Sequence, residues 1–186
     1  MTNETSLRDR ILTFWLDEVG PDGWYAATPE LNAAILAEFG PVWSDAMAGR
    51  LDGWMASARG ALALLIVLDQ FPRNMFNLGK RFSSDTKALR HAKQAIGRGL
   101  DLKVPEPERQ FFYLPLMHSE SLADQERCVC LLLLNMPEHG PGNLPHAIKH
   151  RAVIRRFGRF PSRNASLGRT DSDVEIAYRA EGGYMS

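Results

Sequence analysis

Apolar residues recur along the chain at intervals of three and four, and no stretch shows a clean alternation of apolar and polar positions. This spacing predicts α-helices, because residues three and four apart share one face of a helix. Glycine, proline and capping residues interrupt the pattern at short intervals, as they do where helices begin and end. The sequence therefore predicts an all-α protein, and its short connections favour antiparallel helical hairpins.

The first part of the chain predicts two helices. Ser6 should cap the first of them, with Asp9 three residues later as its capping partner. The Gly-Pro-Asp-Gly sequence at 20–23 should end this helix. Thr28 followed by Pro29 is typical of a helix start, which predicts the second helix. Because Gly and Pro follow each other at 40–41, we expect this second helix to kink or restart there.

A central helix is predicted over residues 58–70, and its positions 61–68 are apolar on every face. A helix without a polar face must be surrounded by protein, so this one should run through the core. Pro72 lacks an amide hydrogen and disfavours helical backbone at Phe71, so the helix should end there.

Three further helix starts are predicted directly after the central helix. Ser84 should cap a helix over residues 85–98, which Gly99 closes in the left-handed conformation. The Pro-Glu-Pro-Glu sequence at 105–108 should open the next helix. Ser121 with Asp124 has the spacing of a capping box, which predicts another start.

The last two predicted helices lie near the end of the chain. Asn143 should cap a helix that ends at Phe157, with Gly158 beyond it. A final helix should follow Ser172, with Glu175 as its capping partner.

Length and charge narrow the possible classes. The 186 residues correspond to one all-α domain over 1–186, and 22 Lys+Arg balance 22 Asp+Glu. Although residues 149–169 are locally basic, this overall balance argues against a nucleic-acid partner. No apolar run approaches the roughly 20 residues that span a bilayer, and the first residues lack the features of an export signal. We therefore expect a cytoplasmic protein without a membrane segment, in which Cys128 and Cys130 stay reduced.

Several motifs together are similar to one known family. They are Ile-Leu-Thr-Phe-Trp at 11–15, Trp-Tyr at 24–25, Leu-Asp-Gln-Phe-Pro-Arg-Asn at 68–74, His-Ser-Glu at 118–120 with Asp-Gln at 124–125, and Phe-Gly-Arg-Phe-Pro at 157–161 with Arg-Asn at 163–164. The chain resembles the bacterial domain-of-unknown-function family number nine hundred and twenty-four over nearly its whole length. The resemblance implies an all-α fold, either a tetratricopeptide-like right-handed α-α superhelix or a compact multi-helix array, and no established activity. At 162, where the family usually has His, this chain has Ser.

The candidate site consists of polar residues that interrupt apolar helices and contain acids, bases, amides and guanidinium groups. Arginines can hold an anion through paired hydrogen bonds, and His with a carboxylate can transfer protons. We therefore predict a polar groove that binds a small anionic molecule or the end of a peptide or protein. Its candidate residues are Asp69, Gln70, Arg73, Asn74, His118, Glu120, Asp124, Gln125, His150, Arg159, Arg163 and Asn164.

Two alternatives use the same residues differently. In one, the protein is a small-molecule hydrolase in which His118 acts with Glu120 or Asp124. In the other, the polar groups only bind helix ends to one another in a structural or interaction scaffold. His146 and His150 have the spacing of metal ligands, but no third ligand lies nearby, and the chain has no phosphate-binding glycine loop. We therefore expect no metal and no cofactor, and the sequence leaves the oligomeric state open.

Overall fold

The computed structural model describes the backbone of residues 2–184 and the side chains of residues 7–184. Every regular element of this part of the chain is helical, which confirms the predicted all-α class. The chain divides into two compact units, Met1–Phe112 and Tyr113–Ser186. The choice between a superhelix and a compact array, and the single domain over 1–186, stay predictions. The predicted side-chain cap at Ser6 lies outside the described side chains.

The first unit contains six α-helical segments among its described residues, joined in two places by π-helical turns. They are α1 (Thr2–Leu12), which continues through a π-helical segment (Thr13–Val19) into α2 (Gly20–Gly23), α3 (Pro29–Met47), α4 (Ala58–Leu65), which continues through a second π-helical segment (Ile66–Gln70) into α5 (Phe71–Met75), and α6 (Asp85–Gly97). Short 3₁₀ turns cover Asp52–Ala56, Leu78–Phe82, Asp101–Lys103 and Glu108–Phe112.

Helix α3 begins as the sequence predicts and then passes its proline without a break. The hydroxyl of Thr28 accepts a hydrogen bond from the Leu31 amide at 3.2 Å, which confirms the predicted cap. The helix does not restart at Pro41. Phe39 and Val42, on either side of this proline, are both buried, so packing holds the two halves in one helix.

The central helix is buried as predicted but does not end at Phe71. All residues from 61 to 68 are 0% exposed. The chain stays helical through Pro72 to Met75, so the predicted end is wrong. The physical reason is the π-helical turn, in which the Phe71 amide donates to the carbonyl of Ile66. This wider turn changes the backbone register ahead of Pro72, which has no amide hydrogen to donate to the Leu68 carbonyl.

Ser84 supplies the partner that the Leu68 carbonyl needs. Its hydroxyl donates to that carbonyl at 2.6 Å and accepts from the indole of Trp43 at 3.2 Å. The predicted cap by the Ser84 side chain is therefore wrong, although α6 does begin at Asp85. Gly99 has φ 64°, the predicted left-handed conformation.

Aromatic rings pack around Phe71 in the core of the first unit. The ring centroids of Phe39, Trp15 and Phe14 lie 4.9, 5.5 and 6.3 Å from it. Trp24 is also buried and donates from its indole to the Trp15 carbonyl at 2.7 Å. Large rings in edge and stacked contacts account for much of the burial in a unit of this size.

The second unit contains four α-helical segments among its described residues. They are α7 (Leu114–Met117), α8 (Leu122–Asn135), α9 (Gly140–Phe157) and α10 (Asp173–Ala180), with 3₁₀ turns at Pro161–Arg163 and Ala165–Leu167. Gly158 ends α9 in the left-handed conformation, as predicted. None of the helices described over residues 2–184 combines the length and the apolar character needed to cross a membrane.

The predicted starts in this part of the chain differ in their outcome. Ser172 and Glu175 form the predicted capping box. The Ser121 side chain makes no cap; instead, the hydroxyl of Ser119 donates to Asp124 at 2.8 Å and accepts from the Ser121 amide at 3.2 Å. Ser119 can bond both groups because it lies in the turn before the helix, so the predicted capping box is wrong.

Two other predicted starts are also corrected. Helix α9 begins at Gly140, so Asn143 lies inside it rather than at its cap. The sequence at 105–108 opens the 3₁₀ turn Glu108–Phe112 instead of an α-helix. The residue at which a helix begins depends on which backbone groups find hydrogen-bond partners. The spacing of residues in the sequence does not by itself determine those partners.

We expect Ser84→Ala to destabilise the protein by about 1–3 kcal/mol, because the substitution leaves the buried Leu68 carbonyl and the Trp43 indole without a partner. Urea unfolding followed by circular dichroism measures the change. Ser83→Ala is the matched control, since the exposed Ser83 hydroxyl bonds only the Lys80 carbonyl, at 2.7 Å. Equal stabilities for the two variants would contradict the assigned role of Ser84.

Candidate functional site

Asp69 and Gln70 lie on the π-helical segment Ile66–Gln70, and both are buried. The amide of Gln70 donates to the Asp69 carboxylate. A guanidinium nitrogen of Arg73 lies 3.4 Å from the same carboxylate, one helical turn further on. The first unit therefore holds a buried carboxylate with an amide and a guanidinium beside it.

Arg73 and Asn74 also serve the backbone of this segment. Arg73 donates to the carbonyl of Asp69, and Asn74 donates to the carbonyl of Gln70 at 3.2 Å. The other end of the Arg73 guanidinium bonds both carboxylate oxygens of Asp85, at 3.1 and 3.2 Å. The four predicted residues of the first unit, at 69, 70, 73 and 74, thus belong to one cluster, and Arg73 joins it to the start of α6.

Arg81 is a further member of this cluster that the sequence interpretation missed. Its guanidinium is half-buried and donates to the Arg73 carbonyl at 3.3 Å. Its Nε is buried without a hydrogen-bond partner. Burial lowers the pKa of Arg81, the positive charge of Arg73 lowers it further, and Asp85 opposes both. The available signal was the pair Lys80-Arg81 in the short connection before Ser84.

A second polar pair in the first unit was also missed. The hydroxyl of Tyr25 donates to the side-chain oxygen of Gln110, a buried residue. Burial of the hydroxyl raises the pKa of Tyr25, and the charge of Asp69 adds to the effect. Tyr25 as a whole is nevertheless 62% exposed. Solvent therefore reaches much of this residue, although its hydroxyl is hydrogen-bonded to Gln110.

In the second unit, Gln125 and Arg163 cap the end of α7. The Gln125 amide donates to the carbonyls of Met117 at 2.6 Å and Ser119 at 2.7 Å. Arg163 donates to the carbonyl of His118 at 3.0 Å. Arg163 lies in the 3₁₀ turn after α9, so it bonds the end of a helix other than the one that precedes it. These contacts satisfy carbonyls that a helix end leaves without partners.

His118 and His150 lie near each other beside an aromatic ring. Their ring centroids are 6.5 Å apart, and the His150 ring is 5.4 Å from that of Phe160. The Nδ1 atom of His150 lies 2.9 Å from the carbonyl of His146 and 3.4 Å from the hydroxyl of Tyr184. Of the predicted residues of the second unit, these two imidazoles are joined by a ring contact.

The carboxylates proposed to act with His118 have other partners in the second unit. Glu120 binds Arg169 at 2.7 and 2.9 Å and accepts from the Phe160 amide at 2.8 Å. Burial opposes ionisation of Glu120, but these bonds outweigh it and leave the pKa below its usual value. Asp124 accepts from Ser119 at 2.8 Å. The hydrolase alternative gains no support from these contacts and stays a prediction.

Arg159 and Asn164 bind the segment that leads into α10. Arg159 makes two hydrogen bonds of 2.7 Å to the Glu175 carboxylate, and Asn164 donates to Asp171 at 2.7 Å. Both contacts connect the Phe-Pro turn after α9 with the start of the last helix. These residues therefore act on the backbone path of the second unit.

The structure thus shows two groups of predicted residues, one in each unit. The first contains the residues at 69, 70, 73 and 74, and the second those at 118, 120, 124, 125, 150, 159, 163 and 164. Among the described side chains, no group of three or more His, Cys, Asp or Glu residues is placed to hold a metal ion.

Comparison with known proteins identifies the family. The model described as "Bacterial protein of unknown function (DUF924)" matches residues 11–183. The chain belongs to this family. The resemblance inferred from the motifs is therefore confirmed.

A solved structure supports the same fold for this DUF924 protein. It is titled "Structure of Protein of Unknown Function ATU0120 from Agrobacterium tumefaciens" and is 38% identical, with a TM-score of 0.88. The match covers 96% of this chain and 99% of the other. A search of the curated proteins gives no significant match.

We expect Glu175→Gln to reduce the stability of this DUF924 protein at neutral pH, with a deficit that shrinks on acidification. The Arg159 hydrogen bonds hold the pKa of Glu175 well below its usual 4.5, against the effect of burial and with further help from Ser172. A carboxylate with a lowered folded pKa contributes stability above its unfolded pKa and loses it as the pH falls.

Urea unfolding of both proteins between pH 7 and pH 3 measures this difference, which should begin to shrink near the usual glutamate pKa of 4.5. Glu181→Gln, at an exposed position beyond α10, is the control. A stability deficit that stays constant over this range would refute the ion-pair explanation.

Proposed function

We propose that this DUF924 protein is a helical binding protein for a small organic anion, and that Arg81 with Arg73 holds the carboxylate or phosphate group of that ligand. The observation that carries the proposal is the half-buried Arg81 guanidinium. Among the described residues, no carboxylate lies within ion-pair distance of it. Arginine offers a planar fork of donors that matches both kinds of anion.

A half-buried cation without a carboxylate partner loses part of its hydration without a compensating charge, which makes this guanidinium informative. Arg81 donates one bond to a carbonyl and lies 5.6 Å from the centroid of the Phe82 ring, while its Nε has no acceptor. Buried charges are otherwise paired or bound to ligands. An anion that bound Arg81 would supply the missing acceptor and the missing charge.

Arg73 adds a second positive charge at the same place. It is bound to Asp85 through one guanidinium nitrogen, at 3.1 and 3.2 Å. The Arg81 bond to the Arg73 carbonyl brings the two arginines together at the end of α5. Both carboxylates of this cluster, Asp69 and Asp85, form their ion pairs with Arg73, so an anion would bind at the Arg81 end of the cluster.

The connection that carries Arg81 has a feature found at binding sites. Leu78 has φ 52°, a left-handed conformation that costs a non-glycine residue about 1–2 kcal/mol. Its side chain is nevertheless 73% exposed. Strained residues persist at positions where a ligand uses them. An exposed leucine three residues before Arg81 is consistent with an anion that carries an apolar portion.

The groove that the sequence predicts around His118, Arg163 and Asn164 lies in the second unit and stays a separate prediction. The scaffold alternative draws its support from Gln125 and Arg163, which bond main-chain carbonyls. The scaffold alternative does not explain why the Nε of Arg81 is buried without a hydrogen-bond acceptor.

We expect inorganic phosphate, acetate or hexanoate to raise the melting temperature of the wild-type protein, because a ligand that binds only the folded state stabilises it. Arg81→Gln should weaken binding by roughly 10-fold to 100-fold, as a lost hydrogen bond to a charged group costs about 1.5–3 kcal/mol. Isothermal titration calorimetry at constant ionic strength measures both effects. A larger shift with hexanoate than with acetate would support the contribution of Leu78.

Arg90→Gln is the matched control, because Arg90 is exposed on α6 and its loss changes the net charge equally. Binding that fails in Arg81→Gln and survives in Arg90→Gln supports the proposal. If no anion of either class binds the wild type, or if both variants bind as the wild type does, the proposal is wrong.

A further inference from the structure

His91 is a buried histidine of α6 that the proposed anion site does not use. It is 3% exposed, and neither of its ring nitrogens has a hydrogen-bond partner among the described residues. Its Nε2 atom lies 3.3 Å from a carboxylate oxygen of Asp52, which begins the 3₁₀ turn Asp52–Ala56. Buried polar atoms of native proteins are normally paired, so the Nδ1 atom of this ring is unusual.

Asp52 is shared between His91 and Lys87, which lies one turn earlier on α6. The Lys87 ammonium lies 3.2 Å from the same carboxylate oxygen. It also donates to the carbonyls of Ala46 at 2.6 Å and Met47 at 3.3 Å, at the end of α3. The three side chains therefore join α6 to the 3₁₀ turn and to the end of α3, all within the first unit.

The surroundings of His91 suit the neutral ring better than the charged ring. A neutral imidazole carries one proton, and on Nε2 this proton lies beside the negative charge of Asp52. A charged imidazole carries a second proton on Nδ1, for which the described residues provide no acceptor. Because a buried charged donor without an acceptor is strongly unfavourable, the closed site favours the neutral form.

The nearby charges do not reverse this preference. Burial lowers the pKa of His91 below its usual 6.5, and Asp52, which favours the charged ring, does not offset this effect. Arg90 and Lys87 on the same helix lower the pKa further. The other segments packed against α6 carry charges that are not among the main ones acting on this ring, namely those of Arg59, Asp69, Asp101, Lys103, Glu108 and Arg109.

We infer that His91, Asp52 and Lys87 form a pH-sensitive contact, which keeps the 3₁₀ turn Asp52–Ala56 on α6 near neutral pH and releases it in mild acid. An open turn lets the ring bind a proton that the closed site excludes. Since the closed state then binds fewer protons than the open state below the usual histidine pKa of 6.5, a fall in pH favours opening. Opening would expose Trp54 and Met55, which are buried in the closed turn. This inference is independent of the proposed anion site.

Hydrogen–deuterium exchange of the wild type, corrected for intrinsic exchange rates, tests the inference. The amides of the turn include that of Trp54, which donates to the Leu51 carbonyl at 2.9 Å. They should exchange about 10-fold to 30-fold faster at about pH 5 than at about pH 7.5, because the open state binds the extra proton. His91→Gln should abolish this pH dependence, since glutamine does not titrate.

Arg98→Gln is the matched control. Arg98 also joins α6 to this turn, through a 2.7 Å hydrogen bond to the Met55 carbonyl. Arginine keeps its charge throughout this pH range. Its loss should therefore speed exchange by the same factor at both pH values and leave the pH dependence intact.

NMR of the imidazole rings in the folded wild type provides a measurement that needs no variant. The His91 ring should remain neutral at about pH 5, with its proton on Nε2. A His91 ring that is charged at this pH in the closed protein would overturn the inference. So would corrected exchange of the turn that does not depend on pH, or an equal pH dependence in His91→Gln and the wild type.

Discussion

The structure of the first unit depends on how a helix that is buried on every side provides hydrogen-bond partners for its backbone carbonyls next to a proline. Residues 61–68 have no solvent to bond, and Pro72 removes the amide that would pair with the Leu68 carbonyl. The π-helical turn and the Ser84 hydroxyl solve this problem together. The same turn carries Asp69 and Gln70 into the interior and places Arg73 and Asn74 one turn later, so the polar cluster is a consequence of this solution.

Helix ends explain much of the polar chemistry in the second unit. The short helix α7 leaves carbonyls that Gln125 and Arg163 bond from two other segments. Arg159 and Asn164 hold the approach to α10 in a similar way, through Glu175 and Asp171. Residue types that suggest catalysis in a sequence thus stabilise backbone geometry in the fold.

Ion pairs reduce the local positive charge that the sequence shows at residues 149–169. Four of its arginines bind carboxylates of the second unit: Arg151 and Arg155 bind Glu126, Arg159 binds Glu175, and Arg169 binds Glu120. The stretch is thus largely neutralised within its own unit. Arg81, which is neither in this stretch nor in a recognised motif, differs from these residues because it lacks a carboxylate partner among the described residues. Arg81 is the candidate ligand-binding residue because it lacks a carboxylate partner, and not because many basic residues surround it in the sequence.

The sequence by itself determined the helical class, the buried stretch at 61–68, the caps at Thr28 and Ser172, and the family. These features follow from local periodicity and from side chains that act on their own backbone neighbours. Only the tertiary structure decided that Ser84 bonds Leu68, that Arg163 bonds the end of α7, and that Arg81 lies beside Arg73. Each of these contacts joins residues whose spacing in the chain carries no signal, because hydrogen-bond partners distant in sequence are fixed by packing.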